Sequence, residues 1–126
     1  MHLAIDIDDT ITVAPKFFAA ITQRWTEARV TIVTFRVDRA KTEAFLENHG
    51  IRYDRLITSD DPVHGCPIER DMAEWKVEVY HAIAPDLIFE DMLEVVQKLD
   101  PSIPVLLPCD AVIRAWIGRS LSEHEL

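Results

Sequence analysis

Five short apolar runs punctuate this sequence, and a stretch of helical periodicity separates each from the next. The runs are Leu3-Ala4-Ile5, Val30-Thr31-Ile32-Val33-Thr34-Phe35, Arg55-Leu56-Ile57-Thr58, Asp86-Leu87-Ile88-Phe89-Glu90 and Ile103-Pro104-Val105-Leu106-Leu107. Between them, residues 15 to about 27 carry Phe17, Phe18, Ile21 and Trp25 at helical spacing, with Pro15 suited to a first helical position. Asp38 opens a helix that runs to residue 48 and that Gly50 closes. Residues 71–84 form another, ended by Pro85, and residues 93–99 a shorter one. A last helix is expected over residues 111–119, followed by a frayed tail over 120–126. Residues 59–70 hold Asp61-Pro62, His64-Gly65 and Cys66-Pro67 and read as loop.

A strand that must cross a helix before meeting its neighbour enters the sheet parallel to it, and helices then cover both faces. The expected fold is α/β: a single domain over residues 1–126, built as a three-layer α/β/α Rossmann-like parallel sheet of about five strands. Pro104 suits an edge strand. Polar residues at the carboxyl ends of such strands share one edge of the sheet, where open α/β folds place their ligands.

The first run ends on that edge in Asp6-Ile7-Asp8-Asp9, three carboxylates within four residues. Asp6 and Asp8 lie two apart, so in extended backbone they leave on the same side. Like charges held so close call for a positive partner, and a hard cation such as Mg²⁺ is the usual one. The formal charge of −9 disfavours nucleic acid, whose phosphates it would repel, but leaves room for a phosphorylated substrate held through a metal. No apolar run approaches the ~20 residues of a membrane span. No basic segment leads an apolar stretch, so no signal peptide is expected. With two cysteines there is no disulfide framework, and a cytoplasmic, reduced protein is the expectation.

Asp6-Ile7-Asp8-Asp9-Thr10 resembles the DxDx[TV] signature of the haloacid dehalogenase-like (HAD) phosphohydrolase superfamily, and the family's other motifs have candidates in order. Thr34, ending the second run, resembles the second motif; Lys76, on the third helix, the third; Glu90-Asp91, closing the fourth run, the acidic fourth. The resemblance covers essentially the whole chain. It implies a sheet of order 5-4-1-2-3, with Asp6, Thr34 and Asp91 converging. It implies a phosphomonoester hydrolase in which Asp6 becomes an aspartyl-phosphate and Asp8 is the general acid and base. Thr34 and Lys76 would hold phosphoryl oxygens. Mg²⁺ would be held by Asp6, the backbone carbonyl of Asp8, and Asp91, with Glu90 behind the metal rather than on it.

Several residues stay open at this level. Arg36 either reaches substrate or pairs with a nearby carboxylate. Asp9 reads as the cap of the following turn. His64 and Cys66 suggest a zinc pair but supply only two ligands, and Cys109 is expected too far from Cys66 to pair with it. Trp25, Trp75 and the phenylalanines read as core. Neither gap between the early motifs has room for a cap domain, which implies an open, capless site. Such a site would be covered by a macromolecular substrate, or by a neighbouring subunit of a homo-oligomer around a small one. Two rivals remain: a catalytically inactive HAD-fold binding or regulatory module, and a phosphotransferase of the same fold.

Overall fold

The structure is a computed structural model and describes residues 1–66 and 70–107. Its strands are β1 His2–Ile5, β2 Arg29–Val33, β3 Arg55–Ile57, β4 Leu87–Phe89 and β5 Val105–Leu106. Its helices are α1 Pro15–Arg24, α2 Arg39–Asn48, α3 Met72–Ile83 and α4 Leu93–Lys98, with a 3-10 turn at Ile11–Val13. All strand pairs are parallel, in the order β3-β2-β1-β4-β5. β1 is therefore central, with Ile5 paired to Ile32 on one side and to Phe89 on the other.

The pleat divides the core in two. Leu3, Ile5, Val30, Ile32, Leu56 and Phe89 face Phe18 of α1 and Leu46 of α2. Ala4, Val33, Ile57 and Ile88 face Trp75, Val79 and Tyr80 of α3 and Val95 of α4. Alternation along each strand thus places α1 and α2 on one face and α3 and α4 on the other. This is the three-layer arrangement expected from the alternating pattern.

Local signals in the sequence set the helix ends. Pro15 occupies the first turn of α1. Asp38 caps α2 by accepting from the Lys41 N–H, and Asp71 caps α3 by accepting from the Glu74 N–H. Gly50, at φ 69°, ends α2 in the left-handed region that costs glycine least. α3 ends instead on Ala84, at φ 49°, immediately before Pro85.

The strands are shorter than the apolar runs. β2 stops at Val33; Thr34 still donates to the Ile57 carbonyl at 3.0 Å, and then the chain swings outward. Phe35 consequently lies 38% exposed, and Phe17 on α1 is 52% exposed, so the reading of every phenylalanine as core fails for these two. Periodicity shows which face of an element a residue occupies, not whether another element covers it. Trp75 is buried as expected, whereas Trp25 is half-buried. The expected helix over 111–119, the tail and Cys109 lie outside the described residues. No helix among the described residues is long and apolar enough to cross a membrane.

Candidate functional site

The Asp6 backbone N–H extends the central ladder by donating to the Phe89 carbonyl at 3.0 Å, which carries its carboxylate into the interior at the carboxyl ends of β1 and β4. Lys76 reaches the same point from α3. Its Nζ donates to Asp6 Oδ1 at 2.5 Å and to Glu90 Oε1 at 2.9 Å, with all three side chains buried. One helical turn on, the Tyr80 hydroxyl donates to the same Glu90 oxygen at 2.9 Å. The other oxygen, Oε2, accepts from the N–H groups of Asp91 and Met92 at 3.0 and 3.1 Å. Thr10 closes the cluster by offering its hydroxyl to Asp6 Oδ2 at 3.2 Å and to Asp91 Oδ1 at 3.3 Å.

The charges in this cluster do not balance. Counted with every group ionised, three carboxylates meet one ammonium, 1 − 3 = −2, in a region sheltered from water. Burial raises the Asp6 carboxyl well above the usual aspartate range, and neighbouring Glu90 adds to this although Lys76 opposes it. Asp91 is raised as well, chiefly by burial. Burial alone would drive the Lys76 proton off, but Asp6 and Glu90 outweigh it and hold the ammonium above the ordinary lysine value. Tyr80 is raised by burial and by the Glu90 carboxylate, so it remains a donor.

Asp6, Glu90 and Asp91 each offer a carboxylate oxygen within 4.8 Å of the others, a group that could hold a metal ion. An all-oxygen set with two uncompensated negative charges fits a hard divalent cation better than a soft one. Both Glu90 oxygens already accept two hydrogen bonds each, so Glu90 acts as a scaffold for the other two carboxylates.

Asp8 stands apart from this buried group. After β1 the chain turns, with Thr10 and Thr12 both donating to the Ile7 carbonyl, so strand alternation no longer governs Asp8. Its side chain is 63% exposed and is gripped by Arg36, which donates through Nε at 3.1 Å and Nη2 at 2.8 Å. The Arg36 hydrogen bonds hold the Asp8 carboxyl below the usual range. The guanidinium sits 4.6 Å from the centre of the Phe45 ring, and the Arg36 main chain is pinned by Thr34 Oγ1 and by Ser59. Of the two readings of Arg36, the structure shows the ion pair.

Asp6, Asp8, Arg36, Lys76, Glu90 and Asp91 all line one cleft of about 390 Å³. Asp9, Phe35, Met72 and Met92 complete its described lining. Thr34 is buried beneath Arg36 and is not part of that lining. Asp9, at φ 60°, does not cap through its carboxylate; it is Thr12 Oγ1 that accepts the Asp9 N–H, at 2.8 Å. Thr10 and Tyr80 belong to the cluster although the sequence does not single them out: Thr10 stands there only as the end of a signature, and Tyr80 falls within the helix over 71–84 with no local signal of its partner.

His64 and Cys66 join no group of three candidate metal ligands among the described residues. His64 donates through its main chain to Asp61 Oδ2 at 2.9 Å and accepts at its carbonyl from Trp75 Nε1 at 2.6 Å. Cys66 Sγ lies 3.8 Å from the Arg70 carbonyl. Among the described residues, Asp6, Glu90 and Asp91 form the one cluster of three candidate metal ligands.

No family model matches the chain, and no curated protein matches it. Solved structures do. A chain of the Pnkp1/Rnl/Hen1 RNA repair complex is similar with a TM-score of 0.64 and 17% identity, over 84% of this chain and 41% of that one. A second structure of the Pnkp1/Rnl/Hen1 complex gives 0.62 at 17% identity, over 86% and 46%. A universal stress protein in complex with cAMP gives 0.51 at 10% identity, over 86% of this chain and 96% of that one. The chain thus spans less than half the length of the repair-complex chains it matches. Likeness at these identities is likeness of fold, and it agrees with the parallel α/β architecture seen here.

Proposed function

We propose that this protein is a Mg²⁺-dependent phosphomonoester hydrolase of the HAD type, working through an aspartyl-phosphate on Asp6. The observation that carries the reading is the buried cluster of Asp6, Lys76, Glu90 and Asp91, two positive charges short, beside an exposed Asp8 in the same cleft. A phosphoryl group needs positioning and compensating positive charge more than covalent skill. Mg²⁺, held by Asp6, Asp91 and the Asp8 carbonyl, would screen the carboxylate nucleophile from the anionic phosphate.

In this scheme an Asp6 carboxylate oxygen forms a bond to phosphorus while the bond from phosphorus to the leaving oxygen breaks. Lys76 favours the ionised form of Asp6 and orients it through Oδ1, and Thr10 orients Oδ2. Asp8, as the carboxylic acid, delivers its proton to the departing alkoxide. As a carboxylate it then takes a proton from the water that attacks the aspartyl-phosphate, releasing inorganic phosphate and regenerating Asp6. Arg36 must release Asp8 for these transfers, and the incoming phosphoryl group supplies an alternative anion for its fork. Thr34, buried outside the cleft lining, contributes by positioning the Arg36 main chain through its hydroxyl. With no room for a cap domain between the early motifs, a neighbouring subunit or the substrate itself would complete the exclusion of water.

The test is hydrolysis of p-nitrophenyl phosphate by wild type and Asp6→Asn, with and without Mg²⁺. The expected result is Mg²⁺-dependent turnover that Asp6→Asn abolishes, with a hydroxylamine-sensitive phosphoprotein in wild type alone. Turnover that survives Asp6→Asn refutes the mechanism. Mg²⁺ binding without any phosphoprotein favours the inactive binding module, and preferred transfer to an added alcohol favours the phosphotransferase.

A further inference from the structure

The cleft has two unlike walls. One is the acidic cluster; the other is Phe35 beyond the end of β2, Met72 at the start of α3 and Met92 just before α4. Single exposed apolar side chains need no explanation, but three from separate segments converging on one small cleft do. Phe35 is not a loose surface ring. It meets Trp75 edge-on, with centroids 5.7 Å apart at 69°, and Trp75 is itself buried and anchored by its indole N–H to the His64 carbonyl. The wall is thus a rigid aromatic face flanked by two adaptable thioethers.

Hydrogen-bonding capacity on the described lining points the same way. No Ser, Thr, Asn, Gln, His or Tyr is part of it. Its two cations are committed, Lys76 to Asp6 and Glu90, and Arg36 to Asp8 or, with substrate bound, to the transferring phosphoryl group. A second phosphate or carboxylate on the leaving group would meet Asp8 and Asp9 with no cation to spare, and a sugar would find carboxylates but no neutral donor. A flat apolar group loses nothing there and gains ring and sulfur contacts. The 390 Å³ cleft lies near the small end of the ~300–1,000 Å³ typical of small-molecule sites.

We infer that the leaving group of the substrate is a small, flat, apolar alcohol, aromatic in character, seated against Phe35 between Met72 and Met92 while its phosphoryl group faces Asp6. This rests on the phosphohydrolase reading of the same cleft and adds the class of substrate.

The test is calorimetric titration of phenylphosphonate and methylphosphonate in the presence of Mg²⁺, on wild type, Phe35→Ala and Phe35→Leu. Phosphonates are not hydrolysed, so the comparison escapes the better leaving ability of a phenol. Phenylphosphonate is expected to bind about tenfold tighter than methylphosphonate, the scale of one good ring contact. Phe35→Ala should remove most of that preference with methylphosphonate unchanged, and Phe35→Leu, which keeps bulk but not the ring, should remove part of it. Equal affinities in wild type, a preference surviving both variants, or no binding of either ligand overturns the inference. Hydrolysis of acetyl phosphate, measured alongside, separates the two readings. Turnover without an aryl preference sinks the substrate class alone, whereas an aryl preference without turnover sinks the hydrolase and supports the subsite.

Discussion

Replacing Lys76 by Met should cost this protein a large share of its stability, and the cost should depend on pH in a particular direction. The Lys76 side chain is buried, and it is the sole ammonium between the Asp6 and Glu90 carboxylates, at 2.5 and 2.9 Å. Removing one member of a buried pair leaves the other charge uncompensated, at about 3–5 kcal/mol. Total stability for a domain of this size is roughly 5–15 kcal/mol, so the variant should be marginally folded at pH 7. With a urea dependence of about 2 kcal/mol per molar, the midpoint should fall by roughly 2 M.

Protonation offers the variant an escape. Burial already raises the Asp6 carboxyl in wild type, with Lys76 pulling it back; without Lys76 it rises further. Between the unfolded aspartate value of 3.8 and that raised value, the folded state binds more protons than the unfolded one. Stability of the variant therefore increases as pH falls through this window, and the gap from wild type narrows. Wild type shares this dependence in smaller measure, because Lys76, raised above 10.5, stays charged throughout and pulls the Asp6 carboxyl back. Urea unfolding of both proteins in EDTA at several pH values between 5 and 8 measures the gap. A loss below ~1 kcal/mol at pH 7, or one that widens as pH falls, would refute the reasoning.

Other perturbations should read out separate parts of the structure. Thr10→Val removes the hydroxyl shared by Asp6 and Asp91 and should weaken Mg²⁺ binding by about 10–100-fold with the fold intact; calorimetry checks this, and unchanged affinity would mean the hydroxyl orients nothing. His2 donates to Thr31 Oγ1 at 2.7 Å and accepts from Arg29 at 3.1 Å, and burial first, then Arg29, lowers its pKa. Its contribution to stability is therefore complete above pH 6.5 and lost as pH falls through its lower folded value. His2→Gln should flatten that limb of a stability profile between pH 7 and 5, and an unaltered limb would assign it to other groups. Asp71→Ala removes the cap on the Glu74 N–H and should cost about 1 kcal/mol by thermal unfolding, with no loss meaning that solvent caps α3 equally well.

Much of this was open to reading from residue order, for identifiable reasons. Each apolar run is bounded by a strong local breaker or cap, such as Pro15, Asp38, Gly50, Asp71 or Pro85, and the strict alternation of strand and helix leaves a parallel sheet as the economical solution. The observed order β3-β2-β1-β4-β5 is the one that the HAD resemblance implies. Asp6, Asp8, Lys76, Glu90 and Asp91 were all singled out as site candidates, and they share a cleft.

Element type, and the edge of the sheet that collects acids, were legible in the residues alone, since these follow from periodicity and turn chemistry within about ten residues of chain. What each side chain touches emerges from the packed fold. It gave Arg36 to Asp8 across 28 positions, Thr10 to Asp91 across 81, and Tyr80 to Glu90, and it left Phe35 and Phe17 uncovered. Such pairings depend on how helices seat against the sheet, a collective outcome of packing that no local spacing encodes. The lone ammonium among three buried carboxylates shows the division. Lys76 was nameable from its place on α3, but its charge acquires meaning only when β1, β4 and α3 enclose it together.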